Sequence, residues 1–116
     1  MAVRRIVADI ATPNPASAQD FYGRILGLDV LMDQGWIVTY GSSADAPVQI
    51  SFASQGGSGA PVPDLSIEVD DFDDVHGAMT AAGFEITYGP VDEPWGVRRF
   101  FVRDPFRQVV NILTHI

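Results

Sequence analysis

The chain has 116 residues, is 47% hydrophobic and 19% charged, and carries a formal net charge of −8. This composition supports one sizeable core and argues against disorder. The acidic balance, with basic doublets only at Arg4-Arg5 and Arg98-Arg99, argues against a phosphate-binding role toward nucleic acid or a membrane surface. The absence of cysteine excludes disulfides, thiolate metal sites and a cysteine nucleophile. No apolar run approaches the roughly 20 residues of a membrane span, and the N-terminus lacks the apolar segment of a signal peptide. The expectation is a cytoplasmic protein.

Arg4 to Ile10 reads as a strand, with β-branched Ile6, Val7 and Ile10. Thr12-Pro13-Asn14-Pro15 reads as a helix entry, with Asn14 as cap and Pro15 at the first helical position. Ala18, Phe21, Tyr22 and Ile25 recur at helical spacing, and Gly27 is a natural stop. Leu28 to Met32, Trp36 to Tyr40 and Val48 to Phe52 read as strands, the first two joined by an Asp33-Gln34-Gly35 turn. Ser54 to Pro61, with Gly56-Gly57-Ser58-Gly59, reads as a linker.

The pattern then restarts. Leu65 to Val69 is a strand, and Asp70 or Asp71 caps a helix with apolar Phe72, Val75, Met79 and Ala82, ended by Gly83. Phe84 to Tyr88, Arg98 to Val102 and Val109 to Leu113 complete three further strands, the last two joined by Asp104-Pro105-Phe106-Arg107. The order is strand, capped helix, glycine stop, three strands, twice over. The expected class is therefore α+β, one domain over 1–116, with module one at about 1–54 and module two at about 62–116. A ferredoxin-like βαβ arrangement alternates helices and strands in a comparable way.

Four segments carry a family resemblance: Asp20 to Leu28 with its Phe21-Tyr22 pair and Leu-Gly-Leu exit, Ser66 to Asp71, Glu93 to Pro105, and Val109 to Leu113. In that order they resemble the glyoxalase/bleomycin-resistance/dioxygenase family, also called the vicinal oxygen chelate family. The resemblance implies two βαβββ modules forming curved mixed sheets around a cavity, and a homodimer. The family holds metal-dependent lyases, isomerases and dioxygenases beside metal-free proteins that sequester drugs, so the site must decide between them.

Carried over residue by residue, the family's metal-ligand positions fall at Val7, Asp64 and Asn111, with Gln49 near a fourth. Valine cannot ligate, and carboxamides bind transition metals less well than imidazole or carboxylate. His76 and His115 fall on none of these positions. The expectation is a protein without a resident cofactor. The alternative is a lyase, isomerase or dioxygenase with a divalent metal on an oxygen-rich set of Asp9, Asp64 and Glu68. Asp70-Asp71 and Asp73-Asp74 read as helix-start acids, not as an acid/base pair.

The remaining signal is aromatic. Trp36 and Tyr40 are expected on one strand face, Arg99 and Phe101 on another, with Trp95 in the preceding loop. With Gln49 and Asn111 these form the candidate ligand-binding set, suited to a flat, aromatic or drug-like organic molecule. Arg107 stands where relatives place glycine, at a cost on the order of 1 kcal/mol if the turn needs a positive φ.

Overall fold

The computed structural model describes residues 8, 10, 12–42 and 53–116. They divide into two units, Met1–Ala53 and Ser54–Ile116. The expected strands at Arg4 to Ile10 and Val48 to Phe52 lie largely or wholly outside the described residues, as do Val7, Asp9 and Gln49.

In the first unit, a 3-10 turn over Pro15–Ala18 runs into a π-helical segment over Gln19–Ile25. Pro15 opens it as expected. Asn14 caps it by position but makes no side-chain capping bond; its carbonyl instead accepts hydrogen bonds from the Ser17 amide and hydroxyl. The widened turn closes with the Leu26 amide donating to the Phe21 carbonyl at 3.1 Å, and buries Phe21 and Tyr22 with their rings 4.8 Å apart. Strands β1 (Asp29–Asp33) and β2 (Val38–Gly41) pair antiparallel. The Asp33 carboxylate accepts the Gly35 amide at 2.9 Å and fixes the turn between them. Trp36 falls in that turn and is 76% exposed, so it does not share a strand face with Tyr40.

The second unit holds β3 (Leu65–Glu68), helix α1 (Phe72–Ala81), β4 (Ile86–Glu93), β5 (Val97–Arg103) and β6 (Val109–His115). This is the expected βαβββ order. The sheet runs β3-β6-β5-β4, with β3 and β6 parallel and the other pairs antiparallel. Helix α1 forms because Phe72, Val75 and Met79 recur at helical spacing; each buried side chain contributes about 1.5–3 kcal/mol. Its end is a Schellman turn. Gly83, at φ +82°, donates to the Thr80 carbonyl and Phe84 donates to that of Met79. Against expectation, Ala82 lies exposed beyond the helix.

Period-two alternation sorts the sheet into two faces. One carries Val102, Val110, Ile112 and Phe100, all fully buried, with the Phe72 ring meeting Phe100 edge-on at 5.4 Å. The other face carries the functional candidates. Strand β4 runs five residues beyond its expected end at Tyr88. Gly89-Pro90 looks like a strand terminator, but β4 is an edge strand and the register slips between Tyr88 and Val91, so no ladder bond from Pro90 is needed.

Candidate functional site

The register of the second sheet lines up Ser66, Asn111, Phe101 and Tyr88, one residue from each strand, in a single row. The next row holds Glu68, Leu113, Arg99 and Val91. Arg99 and Phe101 thus share a face, as their spacing predicts.

Arg99 is the hub. Its guanidinium pairs with Glu93 at 2.7 Å, and the two side chains are only 5% and 3% exposed. It also donates to the Gly56 carbonyl at 2.6 Å and the Gly57 carbonyl at 3.2 Å. Three rings surround it: Tyr88 and Trp95 with centroids at 5.1 Å and Phe101 at 4.9 Å. Arg99 Nε lacks a hydrogen-bond partner among the described residues. The π faces around the guanidinium offset part of that loss. Glu93 uses its remaining capacity on Tyr88, whose hydroxyl donates at 3.2 Å, and on Ser58, whose hydroxyl donates at 3.0 Å.

This network changes the reading of residues 54–61. The segment is glycine-rich but tied down. Gly56 donates to the Ala60 carbonyl at 2.7 Å, Ala60 donates back to that of Gly57 at 2.9 Å, and Ala60 is buried. Gly57 sits at φ +89° against Trp95, where an added Cβ would come within 2.7 Å of the indole. The glycine composition serves this close approach as well as the turn.

Glu93 and Tyr88 were not among the sequence candidates. A signal for Glu93 existed: Glu93-Pro94-Trp95-Gly96-Val97 is a three-residue hairpin turn with glycine in the left-handed region, and Glu93 pairs with Val97. That register puts Glu93 diagonal to Arg99. Trp95, at the turn, is 52% exposed. Trp36 and Tyr40 belong to the first unit, where the Tyr40 hydroxyl donates to Gln19 at 3.2 Å and burial, then the nearby Asp33 charge, push the phenol's pKa up.

The described metal-ligand positions are engaged elsewhere. The Asp64 carboxylate accepts the Val109 amide at 2.8 Å and fixes the start of β6. Glu68 lies 3.1 Å from His115, and both are exposed. Asn111 is buried and its Nδ2 donates to the Ser66 hydroxyl at 3.1 Å. Among the described residues no three His, Asp or Glu side chains come together as a metal site, and Asp9 lies outside them. His76 packs edge-on to Phe100 at 5.0 Å, on the helix side of the sheet. No described helix is long and apolar enough to cross a membrane.

Solved structures give the wider context. The chain is similar to TnmS3, an antibiotic binding protein from Streptomyces sp. CB03234, with a TM-score of 0.72 and 22% identity, over 100% of this chain and 99% of that one. It is similar to TioX from Micromonospora sp. ML1, with a TM-score of 0.64 and 23% identity, over 97% of each chain. A member of the glyoxalase/bleomycin resistance protein/dioxygenase superfamily from Sphaerobacter thermophilus DSM 20745 matches with a TM-score of 0.63 and 23% identity, over 93% of this chain and 94% of that one. No curated protein matches. At these identities the likeness establishes the fold, and the family model for the Glyoxalase/Bleomycin resistance protein/Dioxygenase superfamily matches residues 4–112. The βαβββ order of the second unit and a match over nearly the whole length agree: the chain belongs to the Glyoxalase/Bleomycin resistance protein/Dioxygenase superfamily.

Proposed function

We propose that the protein is a metal-independent small-molecule-binding protein of the bleomycin-resistance type, holding a flat, neutral, aromatic ligand. The observation that carries this reading is the cluster of Tyr88, Trp95 and Phe101 around an already neutralised Arg99. Half-buried Tyr88 and Trp95, 52% exposed, are held in place by a fixed cation and offer stacking surface at little entropic cost on binding, while Phe101, 1% exposed, backs them. Arg99 already pairs with Glu93, so the cluster adds no net charge to attract an anion. Arg99 acts here by positioning the rings, and Asn111 supplies polarity.

The likeness to TnmS3, described as an antibiotic binding protein, supports the ligand class. The engagement of Asp64 with a backbone amide and of Asn111 with Ser66 supports metal independence. The proposal includes a homodimer, expected in sedimentation as a species of twice the chain mass.

The test is a thermal-shift screen of chelator-treated protein against flat aromatic compounds, in neutral and anionic series. Neutral compounds are expected to raise Tm, and Trp95→Ala and Phe101→Ala to reduce the rise. Near-stoichiometric retention of a divalent metal after dialysis, with binding only in its presence, would overturn the reading.

A further inference from the structure

Asn111 Oδ1 is buried and accepts no hydrogen bond among the described residues. Such an atom is costly to leave unmatched, so its presence marks a place for a partner. The amide is held in orientation by its other end, because Nδ2 donates to the Ser66 hydroxyl at 3.1 Å. Ser66 is exposed, which opens one end of the row to solvent, while Asn111 is 7% exposed. On the other side Asn111 stands in register with Phe101, and Phe101 with Tyr88, their rings 5.0 Å apart. The row therefore runs from polar to aromatic across strands spaced about 4.8 Å apart.

We infer that Asn111, oriented by Ser66, is the polar anchor of the proposed ligand site and selects aromatic ligands bearing an O–H or N–H donor directly on the ring system. This rests on the reading of the sheet face as an aromatic ligand site and adds the group that the ligand must present. One strand spacing separates Asn111 from Phe101, which is 1% exposed and backs the row, so the ligand ring enters from the open Ser66 end with its donor on Asn111. Asn111 offers an acceptor without charge, so it suits a neutral phenol, aniline or ring amide. The other buried atom without a partner among the described residues, Arg99 Nε, lies among three rings and is not needed for this contact.

The experiment uses a matched probe pair, 2-naphthol and 2-methoxynaphthalene, titrated into the full chain with ¹⁵N and ¹³C NMR detection. The two share a ring system and differ in the donor. The expected result is binding of 2-naphthol about tenfold or more tighter, with shifts of the Asn111 side-chain amide and of the Phe101 and Tyr88 rings. In Asn111→Leu, checked for folding by its dispersed spectrum, that preference is expected to vanish while the ring shifts persist. Equal affinity of both probes in the native chain, with ring shifts but no Asn111 response, would overturn the anchor and leave the aromatic site standing. Binding of neither probe at millimolar concentration would overturn the aromatic site and the anchor together. The probe comparison in the native chain decides the matter even if Asn111→Leu fails to fold.

Discussion

Replacing Arg99 by Met keeps most of the aliphatic stem but removes the guanidinium that joins Glu93, the 56–57 carbonyls and three rings. The structure sets the magnitude. Glu93 is 3% exposed on its side chain, so the substitution leaves a buried carboxylate with the Tyr88 and Ser58 hydroxyls as its donors among the described residues. Breaking a buried ion pair from one side costs about 3–5 kcal/mol. At roughly 0.05–0.15 kcal/mol per residue, a domain of this size has a total stability of about 6–17 kcal/mol, so the loss is a large fraction of it. The companion Glu93→Gln in the Arg99→Met background removes the stranded charge and is expected to recover more than half of the loss. Urea unfolding at pH 7, followed by tryptophan fluorescence and circular dichroism, gives both values if the two probes coincide. A cost below about 1 kcal/mol for Arg99→Met, the range of exposed pairs, would refute the buried-hub reasoning.

Gly57→Ala puts a Cβ at φ +89° within 2.7 Å of Trp95 and is expected to destabilise by about 1–3 kcal/mol and shift the tryptophan emission; an unchanged spectrum and midpoint would count against the packed loop. Arg107 sits at φ +66°, so Arg107→Gly is expected to raise stability by about 1 kcal/mol, read as a higher urea midpoint at unchanged m-value. Hydrogen bonds from Arg24 and Arg98 hold the carboxyls of Asp20 and Asp92 below the ordinary carboxylate value. Their contribution is present above that ordinary value and is lost as pH falls through the depressed one. Asp92→Asn should therefore flatten the acid limb of a stability-pH profile and leave its difference from the native chain above neutrality independent of pH.

The legible parts of the fold were those where periodicity had a single meaning. Phe72, Val75 and Met79 allow only a helix packed on one side, and Gly83 marks its end through a turn that needs a positive φ. Alternation across Arg98 to Val102 and Val109 to Leu113 located β5 and β6, and put Arg99 and Phe101 on one face. Gly89-Pro90 hid the second half of β4, because a proline in a strand reads as its end unless the strand is known to be an edge. That half carries Glu93, so the partner of Arg99 is legible only through the Glu93-to-Val97 hairpin turn and not through strand alternation. Trp36 was misread for a local reason: the Asp33 carboxylate closes the turn on Gly35, and strand pairing resumes only at Val38. The glycines of residues 56–59 read as a linker in the sequence because composition alone cannot distinguish freedom from close approach.

The central claim is that the second unit's aromatic face, organised by Arg99, holds a neutral ring-bearing ligand without a metal. Its most direct test is NMR titration of chelator-treated protein with the neutral aromatic compounds that raise Tm. The account predicts saturable shifts centred on Tyr88, Trp95, Phe101 and Asn111, unchanged when divalent metal is added. Saturable binding that moves none of these four residues, or that appears only with metal present, would contradict it.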